Sequence, residues 1–349
     1  MIRTNGGGRR GLAYLSTLVC LTTLLPGPAM AWSSQGHQIT ALIAYSLLTP
    51  RAQKNVLAIL EGKQIIDLST WPDQIKNAGK GCVIPGAADC KPEYRPETSQ
   101  WHFVDIPFDK DKFDPQADYC RTTRYGDCII PAIEGFRDIL NGSTRRAFNA
   151  NGDEQKRKLH DALAFIVHFL GDLHQPLHCA ERNHDAGGNN VPVTWADEPK
   201  YTYDDVWNLH SVWDDYLVRR NIMLMPQNKQ TYAFYAKALL DKLNQAERDY
   251  AQLKAAHIES GHAENVIAWA EASHALAKSG AYHLPSHTVK TSTRGFQKKN
   301  PQGQAMDIVV LDEQYFTNNM AVVERQLQLG GVRLARVLNE IFDKDIPLQ

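Results

Sequence analysis

Across its 349 residues the sequence carries almost no net charge, −1 in formal terms. A chain this balanced has no global basic field with which to grip nucleic acid. Any handling of phosphates must therefore draw its positive charge from a local source. Beyond the first 31 residues no apolar run is long enough to read as a membrane span. Internal repeats and interdomain linkers are missing too. Strand signals are sparse: "WHFVDIP" (101–107) and "NNVPVTW" (189–195) are the two candidates. Cysteine is scarce, with six in the whole chain.

What is present begins with a targeting pattern. Arg3, Arg9 and Arg10 give a positive start, and "GLAYLSTLVCLTTLLPG" follows as a short apolar stretch. Ala29-Met30-Ala31 then fits an A-x-A cleavage site. Residues 1–31 are read as a cleaved signal peptide and the product as secreted or periplasmic. Cleavage removes three Arg and no acid, which leaves 35 basic against 39 acidic residues. It also removes Cys20. In an exported protein Cys82–Cys90 and Cys120–Cys128, each bracketing a short loop, read as local disulfides, with Cys179 left over.

The remaining signals are mostly helical. "QITALIAYSLLT" (38–49) carries an apolar stripe at helical spacing. Thr49-Pro50 reads as an N-cap followed by proline at the first helical position, opening "RAQKNVLAIL". "KLHDALAFIVHFLGDLHQ" (158–175) is a long apolar helix that Pro176 ends. Residues 203–220, 230–253, 264–282 and 312–342 read as further helices, and 77–128 and 284–310 as loops. Gly330-Gly331 either interrupts the last helix or lets it pack closely. The expectation is an all-α fold, one mainly helical domain over 32–349, a bundle with long loops.

The densest chemistry lies in "HFLGDLHQPLH". His168 and Asp172 are four apart, so they stack on one helix face, and His178 follows after the proline break. "HSVWD" repeats the spacing with His210 and Asp214. One such pair is commonplace on helix surfaces. Ionisable groups inside a long apolar stretch are costly without partners, and bundles build metal sites from inward-facing ligands on neighbouring helices. Imidazole with carboxylate is a zinc-type donor set. Asp73 in "TWPDQIK" could simply cap a helix, and His102 in "QWHFVDIP" could be a half-buried structural histidine.

Taken in order, these residues resemble the zinc-dependent, single-strand-specific nuclease family that includes mung bean nuclease and shares a superfamily with bacterial zinc phospholipase C. The resemblance runs from Trp32 through Asp214 by motifs, and the helical tail is compatible with it. It implies three zinc ions. Asp73, His102 and His168 would hold one. Trp32, as the first residue of the mature chain, would hold a second with His37 and a bridging Asp172. His178, His210 and Asp214 would hold the third. It also implies that Phe103 stacks a nucleobase and Asp105 reads its edge, which suits sequence-tolerant binding of unpaired strands. Asp73 would orient the nucleophile. Lys76 stands where the family commonly carries Arg, keeping the charge but losing the bidentate fork.

The implied substrates are single-stranded DNA, RNA and 3′-nucleotides, the products 5′-phosphorylated ends, and the molecule a monomer. Three zinc ions would also supply the positive charge that the chain lacks. Two alternatives remain open here. One is a zinc phospholipase C acting on phospholipid head groups, whose ninth ligand is usually Glu rather than Asp214. The other is a non-catalytic zinc-binding exoprotein.

Overall fold

The computed structural model describes residues 32–77, 98–116, 120, 128–142, 152–195, 207–258, 263–289 and 304–344. The expected signal peptide and the Cys82–Cys90 loop lie outside them. The described chain is mainly helical, as expected. It opens with α1 (Ser34–Ser46), α2 (Pro50–Leu60), α3 (Ile65–Ser69) and α4 (Trp71–Asn77). A 3-10 turn over Thr98–His102 precedes α5 (Ile129–Leu140) and α6 (Gly152–Asp172). A second 3-10 turn, Pro176–Cys179, leads to β1 (Pro192–Trp195), β2 (Trp207–Asn208), the single turn α7 (Leu209–Ser211) and α8 (Leu217–Met223). Then come α9 (Tyr232–Asp241), α10 (Gln245–Ala251), α11 (Val266–Leu276), β3 (Thr288–Val289), β4 (Ile308–Leu311) and α12 (Glu313–Phe342).

Local signals set several of these boundaries. The Thr49 side chain accepts from the Ala52 amide with Pro50 at the first helical position, as its sequence implies. Three readings need correction. The stretch 230–253 is two helices, because Asn244 and Glu247 form a reciprocal capping box that restarts the chain. Within 203–220 the helix begins only at Leu209, because Trp207-Asn208 pair with Pro192-Val193 as an antiparallel strand. The supposed loop 284–310 contains β3 and most of β4. The four strands lie in the order β2-β1-β4-β3, with β1 and β4 parallel and Val193 opposite Val309.

The core sits between α1, α6 and α12. Gly330-Gly331 does not interrupt α12, which runs unbroken past them. A Cβ on Gly331 would lie 2.5 Å from Ile43 Cγ2, so glycine is what lets α12 approach α1. Asn339 ties the same helix to the α1–α2 junction: its Oδ1 accepts from the Thr49 amide (2.9 Å) and its Nδ2 donates to Leu47 O (3.2 Å). Gly331→Ala is expected to lower stability although alanine favours helices by about 1 kcal/mol over glycine. Overpacking costs about 1–3 kcal/mol, so a melting temperature a few degrees lower should be read in a thermal scan. An unchanged or higher value would show that α1 yields freely.

The Cys120–Cys128 disulfide is present, with the two Cα atoms 5.2 Å apart. Cys179 is free and buried.

Candidate metal centre

The last turn of α6 carries His168 and Asp172, both fully buried. An aromatic wall holds that turn in place: Phe165 stacks on Phe136 at 4.4 Å, and Phe169 stands edge-on to His102 at 5.0 Å. Asp73 enters from the first turn of α4, and His102 closes the first 3-10 turn rather than lying in the extended segment after it. His178 sits in the second 3-10 turn, where Pro176 places it after the helix has ended. His210 follows the Asn208 cap at the end of β2. Asp214 lies in a turn widened to π geometry over Val212–Tyr216, so the His210–Asp214 pair is not on a regular α-helix. Such widenings re-aim side chains and are frequent at functional sites.

Three clusters result, each with its ligand-type atoms within 4.8 Å of one another: Asp73, His102 and His168; His37, His168 and Asp172; and His178, His210 and Asp214. His168 belongs to the first two. Asp172 Oδ2 lies 2.9 Å from His102 Nδ1 and 3.2 Å from His168 Nε2, while its Oδ1 lies 3.2 Å from His37 Nε2. Asp172 thus sits between the two clusters, as a bridging ligand would. Trp32 is placed beside them. Its ring is fully buried, and Cβ atoms added at Gly36 and Gly171 would meet Trp32 Cβ at 2.8 Å and His37 Nδ1 at 2.8 Å. Those two glycines let the start of the described chain dock on α6. The next amide, Ser33, donates to Asp214 O (2.7 Å).

The histidines are aimed by backbone carbonyls. His168 Nδ1 donates to Ser69 O (2.6 Å), His178 Nδ1 to His102 O (2.7 Å) and His210 Nδ1 to Gly187 O (2.7 Å). Each donation turns Nε2 inward as the atom free to bind a cation. His178 Nε2 and His210 Nε2 then face each other at 3.0 Å, with Asp214 Oδ2 3.3 Å from the latter. Two lone pairs at that distance repel unless a cation draws both. Among the buried side-chain atoms without a hydrogen-bond partner are Asp73 Oδ1, Asp172 Oδ1 and Asp214 Oδ2, one carboxylate oxygen in each cluster. Orphaned buried groups are expensive, and here they converge. The donor set therefore fits metal ions, and all-N/O donors of this kind suit zinc.

Titration without metal tells the same story. Burial, and then the His178 ring, hold His210 down to about 3. Burial pushes Asp214 well up, against the hydrogen bond from Gln175. Burial also pulls His168 down, but Asp172 and Asp73 outweigh it and carry it up to about 10. These are conflicts that a divalent cation removes.

His102 of the first cluster and His178 and His210 of the third line a cleft of about 1010 Å³, with the other cluster residues buried behind them. Lys76 reaches its rim, with Nζ 3.1 Å from Asp73 Oδ1, and Phe103 and Asp105 line the wall beyond His102. Residues 103–108 run beside 178–182: Val104 N donates to His178 O (2.8 Å), and Glu181 N to Ile106 O (2.9 Å).

The profile of the S1/P1 nuclease family matches residues 32–343, nearly all of the chain and starting at Trp32. The chain belongs to that family. Endonuclease 5 of Arabidopsis thaliana is 26% identical over 94% of this chain and 96% of its own length. Nuclease P1 of Penicillium citrinum is 26% identical over 90% of this chain and 99% of its own. Nuclease S1 of Aspergillus oryzae is 31% identical over 52% of this chain and 53% of its own. As a member of the S1/P1 nuclease family, the protein is a phosphodiester-hydrolysing enzyme.

One polar partner escapes the motif reading. Gln175 is fully buried, donates from Nε2 to Asp214 Oδ1 (2.5 Å) and accepts from the Leu177 amide (2.6 Å). It fixes one carboxylate oxygen so that the other faces His210. Gln175→Met keeps the length and loses both bonds. Partners of this kind are worth roughly 10–100-fold in metal affinity. Titration with a competing chelator should show one metal leaving that much more readily. Unaltered metal release would remove Gln175 from the site.

Proposed function

We propose that the protein is an exported, zinc-dependent endonuclease and 3′-nucleotidase. In this reading it cleaves single-stranded DNA and RNA to 5′-phosphate ends and removes phosphate from 3′-nucleotides. One observation carries the reading: the cleft that holds Lys76 and Phe103 is also lined by His102, His178 and His210, members of His/Asp clusters able to hold metal ions, in a chain of the S1/P1 nuclease family. Asp73, His102 and His168 are assigned one zinc. Trp32, His37 and Asp172 take the second, and His178, His210 and Asp214 the third. Bound zinc supplies Lewis acidity and lowers the pKa of a coordinated water from 15.7 to about 7.

The chain's own groups do the rest. Burial raises the Asp73 carboxyl's pKa, but His168, Lys76 and His102 outweigh it and hold the group ionised. Asp73 can therefore accept a hydrogen bond from an attacking water and orient it. Lys76 offers its ammonium to the phosphate from the rim of the cleft. Phe103 stacks one base, and Asp105 accepts from that base's edge. A paired base cannot reach Phe103 without unstacking, so duplexes are poor substrates. Among the described residues no helix is long and apolar enough to cross a membrane, consistent with an exported enzyme, here taken as a monomer.

Release of acid-soluble nucleotides from single-stranded DNA and RNA tests the reading, with duplex DNA and phosphatidylcholine as parallel substrates. Cleavage of phosphatidylcholine with no release from either single strand would sink it in favour of a phospholipase C. Asp73→Asn should abolish turnover to a far greater degree than it lowers zinc content.

A further inference from the structure

The cleft is larger than one nucleotide needs, standing at the upper end of the roughly 300–1,000 Å³ usual for small-molecule pockets. It also continues past Phe103 and Asp105. Pro107 and Phe108 line it further along the extended segment, and Arg182, Asn183 and His184 line it from the neighbouring one. A bridge between Pro107 and Glu181, and the Phe108 amide donating to Glu181 O (2.8 Å), hold the two segments side by side.

Three features make this far end a built surface. First, the Phe108 ring is braced by Tyr282 at 5.3 Å, edge to face, and by Lys278 Nζ at 5.6 Å. Neither brace lines the cleft, whereas Phe108 does, so the ring is fixed from behind and offers its remaining surface to the cleft. Second, the Arg182 guanidinium sits over the Tyr282 ring at 4.1 Å, tethered through Nε to Asp185 Oδ2 at 3.4 Å. Asp185 is itself buried, and it accepts from Tyr282 Oη (2.9 Å) and from the Gly188 amide (3.1 Å). Third, Asn183 and His184 are both left-handed, at φ 54° and 62°. Two consecutive non-glycine residues there store strain of a kind concentrated at ligand-binding positions.

An aromatic ring and a held guanidinium make a sequence-tolerant platform for a base. We propose that Phe108 and Arg182 form a second base subsite in the cleft. It takes the nucleotide on the 5′ side of the one seated at Phe103, so the protein engages two consecutive unpaired nucleotides. The assignment rests on the nuclease and nucleotidase reading above. It sharpens single-strand selectivity, because two adjacent bases must leave a duplex stack instead of one.

The test uses phosphate release from two substrates. One is 3′-AMP. The other is an adenosine dinucleotide with a 3′-phosphate and a methylphosphonate internal linkage, which hydrolysis cannot remove. In the zinc-loaded wild type the dinucleotide should lead in kcat/KM by about five- to a hundred-fold, the range for stacking one further base. Phe108→Ala should bring that ratio close to one, and Arg182→Gln should reduce it. Phe108→Trp should keep or raise it. Should Phe108→Ala fail to fold, Phe108→Leu keeps an apolar contact with Tyr282, loses the π face, and should still collapse the ratio. Equal kcat/KM for both substrates in the wild type would overturn the second subsite alone. So would a ratio that survives loss of the ring. Hydrolysis of neither substrate would instead overturn the nucleotidase reading beneath it.

Discussion

Removing the metal with a chelator at neutral pH should abolish hydrolysis of single-stranded DNA and lower the melting temperature by ten degrees or more. Zinc add-back should restore both, with three equivalents per chain. The size of the effect follows from what the metals hold apart. Without them, burial leaves the Asp214 carboxyl pushed well up, and the His178 and His210 ring nitrogens face each other at 3.0 Å. Buried polar groups left without a partner are costly. Metal binding in such a site is folding free energy as well as catalytic equipment. Chelated protein that keeps its melting temperature would show the clusters to be stable without metal.

The metal-free form should also have a distinctive pH profile. Burial, then Lys76, hold His102 down to about 3, and burial, then His178, do the same for His210. Unfolded histidine titrates near 6.5. Between pH 6.5 and 3 the unfolded chain therefore binds more protons, and stability falls as the solution is acidified. His168 runs the other way. Burial lowers it, but Asp172 and Asp73 outweigh burial and lift it to about 10, so its contribution is full below 6.5 and is lost as pH rises towards 10. Denaturant midpoints of the metal-free protein should peak near pH 6.5. In the zinc-loaded protein His168 is already neutral, so the alkaline decline should vanish. An alkaline decline that persists with zinc bound would remove His168 from the site.

That eight His and Asp side chains from His37 to Asp214 come together in three clusters was legible from sequence, because the chemistry imposes it. His168 and Asp172 sit in an apolar helix where isolated ionisable groups would be costly, and the order Trp32 to Asp214 repeats a family pattern. The groups that aim the ligands were not legible. Ser69, His102 and Gly187 act through backbone carbonyls, which any residue type supplies. Gln175 carries no charge and sits among residues that draw the eye first. Phe108 is five residues past Phe103, and nothing local marks it as facing the same cleft. In the fold, helical periodicity located α1, α2, α6, α11 and α12. It carried one helix across Lys242–Asn244, although Asn244 and Glu247 are spaced as a capping box. The β-branched run Ile308–Val310 was absorbed into a loop because its partner, Val193–Trp195, is remote in sequence.

Extending the chain in front of Trp32 by even two residues should cost one zinc and at least a hundred-fold in activity. A peptide nitrogen has its lone pair delocalised into the carbonyl, so it cannot serve as a ligand. A free α-amine titrates near 7.7–8.0 and is available at neutral pH. The Trp32 ring is fully buried, Gly36 and Gly171 leave the space that seats it, and Ser33 is anchored to Asp214. The family match also opens at this residue. The decisive comparison sets protein beginning at Trp32 against protein carrying Gly-Ser before it, by zinc per chain from elemental analysis and by turnover. Three zinc ions against two is the expected result. Trp32→Phe, with a free amine retained, should stay near full occupancy, which separates the amine from the ring. Full zinc and full activity in the extended protein would break the link between processing and the site. If the link holds, and if residues 1–31 are the cleaved signal proposed, the precursor would be inactive inside the cell that makes it and their removal on export would complete the enzyme.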